Sequence, residues 1–308
     1  MRKSDGPRDG SAGLATFPMR SPDSFHATDW SMPPLLRATV GVHALAAGTA
    51  LAAPHAWPWL LGGLALNHAL VTSAVFRPRN DWLGPNVSHL GATAAARGEV
   101  ALTFDDGPDP AVTPALLDLL DACGMRASFF CIASRVQAHP GLARRIAERG
   151  HSVENHTLSH SYAFALRGLR AIERDLAQAQ AVLADATGQR PTCFRPPVGL
   201  RNPFLDPVLS RLGLRLVSWT RRGVDTRDAD PARVAQRLLR GLAGGDILLL
   251  HDGRTAGATT AGALVLDVLP RVAARLREAG LRTVSLPQAL AGPTFAGAGS
   301  FEGTRVAA

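Results

Sequence analysis

The 308-residue sequence predicts an α/β fold, a barrel of alternating strands and helices, preceded by an apolar helical hairpin. From Glu99 onward, short apolar runs alternate with amphipathic helical patterns, and ionisable residues directly follow several of these runs. Barrel enzymes collect their functional groups at the C-terminal ends of the strands, so this placement favours a barrel. The hairpin is indicated by the 39 residues between Arg37 and Arg77, none of which is charged.

The N-terminal part is organised differently from the rest of the chain. A membrane-spanning helix needs about 20 apolar residues, so the uncharged stretch can hold two short spans that turn near Pro54. Trp57 and Trp59 beside this turn suit the membrane interface. We therefore predict five parts: a disordered polar tail (1–36), two hydrophobic membrane segments (37–77), a linker (78–98), the barrel (99–290) and a C-terminal tail (291–308).

The charges that flank the hairpin predict its orientation. The N-terminal flank carries Arg2, Lys3, Arg8, Arg20 and Arg37, and the following flank carries Arg77, Arg79 and Arg97. The turn at Pro54-His55 carries neither Lys nor Arg, so the positive-inside rule places both flanks and the barrel on the cytoplasmic side of the inner membrane. One alternative stays open. If only Ala56 to Phe76 spans the membrane, the barrel lies outside.

The barrel elements are predicted from short apolar runs and helical periodicity. The predicted strands are Val100–Phe104, Ala127–Cys131, Ser152–Glu154, Thr192–Arg195, Leu214–Trp219, Ile247–His251 and Arg282–Ser285. The predicted helices are Pro114–Cys123, Pro140–Arg149, Leu169–Ala186, Phe204–Leu212, Pro231–Leu242 and Ala263–Ala279.

Composition excludes one class of partner and suggests another. The formal net charge is +8 and comes mostly from arginine, but the chain has one tyrosine and no basic stretch interleaved with aromatic residues. Nucleic-acid binding is therefore a poor interpretation. A basic surface suits anionic phospholipid headgroups better, although arginines dispersed by compositional bias would give the same charge. The three cysteines have no spacing typical of a metal site.

Two pairs of residues predict a metal site. Asp105 and Asp106 stand where an apolar strand runs into a Gly-Pro turn, and two adjacent carboxylates repel unless a positive charge lies between them. His156 and His160 share one face if they lie on a helical turn, so both imidazoles can reach one metal ion. Taken singly, the first pair could be a turn with a helix cap and the second an exposed helical pair.

Further ionisable residues follow later strands. Arg195 lies in Phe-Arg-Pro-Pro, Asp225 ends the segment that begins at Trp219, and His251 ends the apolar run from Ile247. Amide hydrolysis needs an activated water, a stabilised oxyanion and a proton for the leaving amine. These residue types can supply those functions together with a metal ion.

These motifs resemble those of the polysaccharide deacetylases, the NodB-homology group of carbohydrate esterase family four, whose five motifs occur in order across about 99–290. The resemblance implies a distorted (β/α) barrel and metal-dependent removal of acetyl groups from sugars. The implied metal is zinc, with cobalt, manganese or nickel as alternatives. The implied roles are general base for Asp105, metal ligands for Asp106, His156 and His160, orientation of the base for Arg195, general acid for His251 with Asp225 as its partner, and acetyl-pocket lining for Leu249.

Two positions depart from the family pattern. Val198 stands where an aromatic residue is usual, and Thr226 stands where Trp is frequent. We expect Val198, Leu249 and Trp219 to line the substrate site, with fewer aromatic walls for a long polysaccharide.

Three functions remain open after the sequence analysis. The preferred hypothesis is an enzyme that removes N-acetyl groups from a lipid-linked glycan or glycolipid, in contact with membrane lipid. The second is a peptidoglycan or exopolysaccharide deacetylase. The third is a non-catalytic, membrane-bound glycan-binding module.

Overall fold

The computed structural model describes residues 30–253 and 261–291, which contain a curled parallel β-sheet with helices packed against it. The described strands are β1 (Glu99–Asp105), β2 (Ser128–Cys131), β3 (Ser152–Asn155), β4 (Cys193–Phe194), β5 (Arg215–Leu216), β6 (Arg221–Arg222), β7 (Ile247–His251) and β8 (Arg282–Val284). The described helices are α1 (Pro34–Ala52), α2 (Trp57–Val75), α3 (Ala92–Ala96), α4 (Thr113–Ala122), α5 (Ala133–Ala138), α6 (Pro140–Glu148), α7 (Leu169–Thr187), α8 (Leu205–Leu212), α9 (Pro231–Leu239), α10 (Ala261–Glu278) and α11 (Leu286–Leu290). Most of the predicted N-terminal tail and nearly all of the C-terminal tail lie outside the described residues.

Strand β1 lies at the centre of the sheet. The order within the described residues is β5-β4-β3-β2-β1-β7-β6, with β8 paired to the start of β1, and every pairing is parallel. All seven residues of β1 are buried, as expected for a parallel strand that is covered on both faces. The predicted barrel is thus confirmed as a curled sheet of the α/β class.

The alternating residues of β1 serve two faces. Every second residue from Val100 to Phe104 joins the main apolar core, to which α4 and α10 also contribute. Thr103 and Asp105 point the other way, into the curl of the sheet, where both accept hydrogen bonds from Arg195. The same strand therefore stabilises the fold on one side and carries site residues on the other.

The two edge strands, β5 and β6, follow each other directly in the chain. Residues 217–220 cross from one edge to the other, and the segment 78–98 packs over this crossing. Val87 N donates to Leu216 O at 2.9 Å, and Ser218 N donates to Val87 O at 2.9 Å. The predicted linker is thus a packed part of the fold.

Most predicted elements are confirmed in place, but some regions differ. The predicted strand Leu214–Trp219 is a strand only at Arg215–Leu216, after which the chain leaves the sheet edge. Strand β6 and the short helices α3, α5 and α11 were not predicted. Strand β6 consists of two arginines, so it shows no apolar run, and it exists because β7 offers it backbone partners.

The predicted hairpin is present as two 19-residue helices, α1 and α2, which pack against each other. Thr39 Oγ1 donates to Asn67 Oδ1 at 3.1 Å, and the rings of His43 and His68 lie 5.2 Å apart. The polar residues that interrupt the apolar pattern therefore face each other between the helices.

Among the described helices, α1 alone is long and apolar enough to cross a membrane by length and composition. None of its residues is buried. A membrane anchor and a signal sequence share this property. The single-span alternative placed the span at Ala56 to Phe76, whereas the qualifying helix is the first of the two.

Candidate active site

A cleft of about 280 Å³ opens at the C-terminal ends of the strands. Its lining includes Asp105, Asp106, His156, His160, Val198, Trp219, Leu249 and His251. Arg195 and Asp225, the other two predicted site residues, are buried and hydrogen-bonded to residues of this lining. All ten predicted site residues are therefore brought together, although they come from five separate segments of the chain.

Asp105 and Asp106 both reach the cleft because the backbone turns between them. Asp105 is the last residue of β1, and consecutive side chains of a strand point to opposite faces. Asp106 has a φ of 76°, in the left-handed region that non-glycine residues rarely adopt. This turn ends the strand alternation, so both carboxylates line one cavity.

Asp106, His156 and His160 form a triangle of possible metal ligands. Asp106 Oδ1 lies 3.4 Å from His156 Nε2 and 3.3 Å from His160 Nε2, and the three ligand atoms lie within 4.8 Å of one another. Asp106 Oδ1 is buried and makes no hydrogen bond. A carboxylate and two imidazoles are a donor set that zinc accepts, so these residues fit a divalent cation.

The tautomer of His156 suits a metal ligand. Its Nδ1 lies 2.7 Å from the carbonyl oxygen of Arg195. A carbonyl only accepts hydrogen bonds, so Nδ1 carries a proton, and Nε2, which faces Asp106, is the nitrogen that can bind a cation through its lone pair. The backbone of one predicted site residue thus orients the side chain of another.

The two histidines lie on a loop, and the expectation of a helical turn is wrong. Thr157 and His160 have φ angles of 71° and 51°, which no right-handed helical turn contains. The Asn155 side chain accepts a hydrogen bond from Thr157 N, and Thr157 Oγ1 accepts one from His160 N, both at 2.9 Å. These local hydrogen bonds replace the helical ones and bring both imidazoles to Asp106.

The protonation states also suit metal binding. Burial tends to raise the pKa of Asp106, but the close approach of His156 and the neighbouring histidine charges outweigh it and hold the pKa at about 2. Burial and the charge of His156 lower the pKa of His160 to about 4. At neutral pH the site therefore offers an ionised carboxylate and, at His160, a neutral imidazole.

Arg195 binds the Asp105 carboxylate through a short hydrogen bond. Its Nη1 donates to Asp105 Oδ1 at 2.6 Å and to Thr103 Oγ1 at 2.9 Å, and its other nitrogens donate to two backbone carbonyls. The guanidinium lies 4.1 Å from the centre of the Phe130 ring. Burial lowers the pKa of Arg195, and the charge of Asp105 opposes that change. The pair fixes the Asp105 carboxylate in one orientation.

His251 is held in a similar way by Asp225. The Asp225 carboxylate accepts from His251 Nδ1 at 2.9 Å and from the His251 backbone N–H at 2.8 Å. Burial tends to lower the pKa of His251, but the charge and hydrogen bond of Asp225 raise it to about 9. His251 is therefore protonated at neutral pH, with Nε2–H free to donate. Its backbone is the register partner of Asp105 on β1.

Trp219, Val198 and Leu249 form parts of the cleft wall. Gly199 packs against the Trp219 ring so closely that a Cβ there would lie 2.6 Å from it, and Gly199 has a φ of 74°. Only glycine suits this position. Val198 has a φ of 50° and is half exposed at the rim.

Sequence reasoning did not assign three residues that line the cleft: Tyr162, Arg222 and Arg227. Tyr162 follows His160 by two residues, which is the one local signal that pointed to it. Arg222 belongs to the unpredicted β6, where its alternation with Arg221 would have indicated an inward side chain. Thr226, noted as a departure from the family pattern, also lines the cleft.

Comparisons with known proteins agree with this arrangement. The sequence pattern of the polysaccharide deacetylase family matches residues 93–217. A peptidoglycan-N-acetylglucosamine deacetylase of Bacillus cereus is 34% identical over 194 residues, covering 62% of this chain and 87% of the relative. A chitooligosaccharide deacetylase of Bradyrhizobium is 35% identical, covering 51% of this chain and 72% of the relative. The chain spans only 33% of the Listeria monocytogenes deacetylase PgdA, to which it is 35% identical.

Solved structures show the same fold. A crystal structure of a peptidoglycan N-acetylglucosamine deacetylase has a TM-score of 0.60 and 28% identity, covering 66% of this chain and 91% of that one. The family 4 carbohydrate esterase from Streptomyces lividans has a TM-score of 0.57 and 32% identity, covering 62% and 94%. The chain belongs to the polysaccharide deacetylase family, a family of hydrolases that act on carbon–nitrogen bonds.

Proposed function

We propose that the protein is a metal-dependent hydrolase that removes the N-acetyl group from an amino sugar in a glycan. One observation carries the proposal. The metal-ligand triangle, the Asp105–Arg195 pair and the His251–Asp225 pair all meet at one cleft. Amide hydrolysis needs a base that activates water, an electrophile that polarises the carbonyl and an acid that protonates the leaving amine. These three groups can supply those functions.

The proposed metal ligands are Asp106, His156 and His160, and the proposed metal is zinc, with cobalt, manganese or nickel as alternatives. When bound, a divalent cation lowers the pKa of water and polarises the acetyl carbonyl. The three residues leave further coordination positions for water and substrate, as catalytic metal sites require.

Asp105 is the proposed general base. It stands beside the ligand Asp106 but points its hydrogen-bonded oxygen at Arg195, so it does not need to bind the cation itself. The hydrogen bond from Arg195 fixes the orientation of the carboxylate that would accept a proton from water. Arg195 thereby acts as a positioning residue.

His251 is the proposed general acid. Asp225 fixes its tautomer and favours the imidazolium, so Nε2–H can donate a proton to the departing amine. Leu249 is the proposed contact for the acetyl methyl group. A backbone N–H near Val198 is the proposed donor to the oxyanion, since this strained turn lies on the cleft wall.

For the substrate, we favour a lipid-linked glycan or glycolipid. The segment directly after α2 reaches the rim of the cleft: Pro78 lies beside Gly199, and Arg79 Nη1 donates to Thr220 O at 3.2 Å. If α1 and α2 lie in a bilayer, the cleft is close to the headgroup level. Because the relatives include deacetylases of peptidoglycan and of chitooligosaccharides, these glycans are the alternative substrates.

For the location, we propose the inner membrane with the barrel on the cytoplasmic side, as the arginine distribution indicates. Single-cysteine variants labelled in intact cells would test this orientation. We expect a membrane-impermeant thiol reagent to leave cysteines in both the N-terminal tail and an exposed barrel loop unlabelled. Labelling of the barrel site alone would contradict this orientation and would favour an extracytoplasmic glycan as the substrate.

The activity is tested with the full-length protein in detergent, stripped of metal and reloaded with Zn²⁺, Co²⁺, Mn²⁺ or Ni²⁺. We expect acetate release from lipid-linked N-acetylated sugars, peptidoglycan fragments or chitooligosaccharides, and none from the stripped protein. Asp106→Ala and His156→Ala should lose bound metal, whereas Asp105→Asn should keep it and lose several orders of magnitude in rate. Glycan binding without acetate release under all these conditions would identify a non-catalytic module.

A further inference from the structure

The cleft contains two arginines that the deacetylation chemistry does not use. Arg222 and Arg227 line it together with the proposed metal ligands. Arg222 Nε is buried and has no hydrogen-bond partner. An unsatisfied buried donor on a charged group is costly, and an anionic oxygen is the partner that satisfies it best.

The two neighbouring arginines of β6 differ in their surroundings. Arg221 pairs with Asp246 and donates to the carbonyls of Arg240 and Gly241, on the outer side. Arg222, the next residue, points to the opposite face and enters the cleft, where its guanidinium lies 5.6 Å from the Trp219 ring. Among the described residues, no carboxylate forms an ion pair with Arg222 or Arg227.

The acidic groups of the cleft already have cationic partners. Asp105 pairs with Arg195, Asp225 pairs with His251, and Asp106 faces the two imidazoles and would bind the cation. The two guanidiniums, which have no carboxylate partner in the described part of the chain, therefore give the cleft an uncompensated positive charge. The lining positions Val198 and Thr226 carry no aromatic ring to stack on a neutral sugar.

We propose that Arg222, assisted by Arg227 at the rim, binds an anionic oxygen group, a phosphate or a carboxylate, attached to the amino sugar that loses its acetyl group. This substrate class rests on the proposed deacetylase function and narrows it. A sugar phosphate, as in a lipid-linked glycan, and a sugar carboxylate, as in a lactyl ether, both present such a group. The chemistry of the subsite is the same for either.

The test measures binding to the metal-free full-length protein in detergent by calorimetry, so that neither turnover nor a cation contributes. Three probes are compared: N-acetylglucosamine 1-phosphate, N-acetylmuramic acid and neutral methyl N-acetylglucosaminide. We expect at least one anionic probe to bind at least tenfold more tightly than the neutral one. Arg222→Gln should remove that advantage and Arg227→Gln should reduce it, whereas Arg271→Gln, an equal charge change at an exposed position of α10, should leave it intact.

The pattern of losses separates the possible outcomes. Loss of affinity confined to the phosphate or to the carboxylate supports the proposal and identifies which group the subsite takes. Equal weakening of all three probes by Arg222→Gln would overturn it, because Arg222 would then only support Trp219. Equal binding of charged and neutral probes by the parent protein would also overturn it. Acetate release from metal-loaded protein is measured separately, so anion binding without turnover would defeat the proposed function and leave only the anion site at Arg222 standing.

Discussion

Removal of Arg195 should destabilise the protein far more than removal of an exposed arginine. Asp105 is 4% exposed and its Oδ1 accepts the 2.6 Å hydrogen bond from Arg195. Arg195→Met keeps part of the packing on Phe130 but leaves a buried carboxylate without a cation. Breaking a buried ion pair from one side costs about 3–5 kcal/mol, so we expect a loss of that size in the free energy of unfolding.

The second substitution identifies the cause of this loss. Asp105→Asn in the Arg195→Met background removes the unpaired charge, so the double variant should recover about 1–3 kcal/mol relative to the sum of the two single losses. The free energies come from urea unfolding of full-length protein in one detergent, followed by tryptophan fluorescence. Arg233→Met, which removes an exposed partner of Asp228, is the matched control and should change stability little.

Two results would contradict this reasoning. One is a loss below about 1 kcal/mol for Arg195→Met, which would mean that water or another group reaches Asp105. The other is strict additivity of the two substitutions, which would mean that the pair is not energetically coupled. Either result would remove the physical basis for treating Arg195 as the residue that positions the proposed base.

Three further predictions concern the acid, the cleft wall and the core. His251, the proposed acid, can donate only while it is protonated, so kcat/KM should fall as pH rises through the pKa of His251. Asp225→Asn should move this fall to lower pH in a pH–rate profile, and an unchanged profile would assign it to another group. Gly199→Ala should displace Trp219 and lower kcat/KM at least tenfold, while the amount of bound metal, measured by mass spectrometry, stays constant. Full activity would show that the cleft wall at Trp219 can shift without affecting the reaction. Burial lowers the pKa of His151 to about 4, so the unfolded state binds more protons than the folded state between about pH 6.5 and 4. The free energy of unfolding should therefore fall by up to about 3 kcal/mol as pH falls through that range. His151→Gln should flatten this pH dependence, and an unchanged slope would exclude His151 as its source.

The predictable part of the structure is the part that local burial dictates. The runs that became β1 and β7 are apolar because both faces of a central parallel strand are covered, and this is visible in the sequence. The ionisable residues at their ends therefore pointed to the correct edge of the sheet. Strand β6 could not be found in this way, because its two arginines show no periodicity and its pairing with β7 is non-local.

The loop of the two histidines shows another limit. A spacing of four residues is compatible with a helical turn and also with a loop in which two residues adopt positive φ. The second occurs here, since the Asn155 and Thr157 side chains provide the local hydrogen bonds. The residue pair was predictable, but its backbone conformation was not, because it depends on side-chain contacts rather than on propensity. Arg222 was missed for the same reason as β6.

Two valines with positive φ angles affect how the protein would respond to selection for heat resistance. Val198 and Val224 have φ angles of 50° and 62°, where a β-branched residue is strained and glycine is not. Val224 directly precedes Asp225, and Val198 forms part of the cleft rim. Laboratory evolution for thermal tolerance alone should favour glycine at both positions, and glycine would loosen the loops that carry Asp225, the partner of the proposed acid, and shape the rim. The gain in heat resistance and the loss of turnover are therefore expected in the same clones. Variants at these two positions need to be screened for activity as well as for thermal stability.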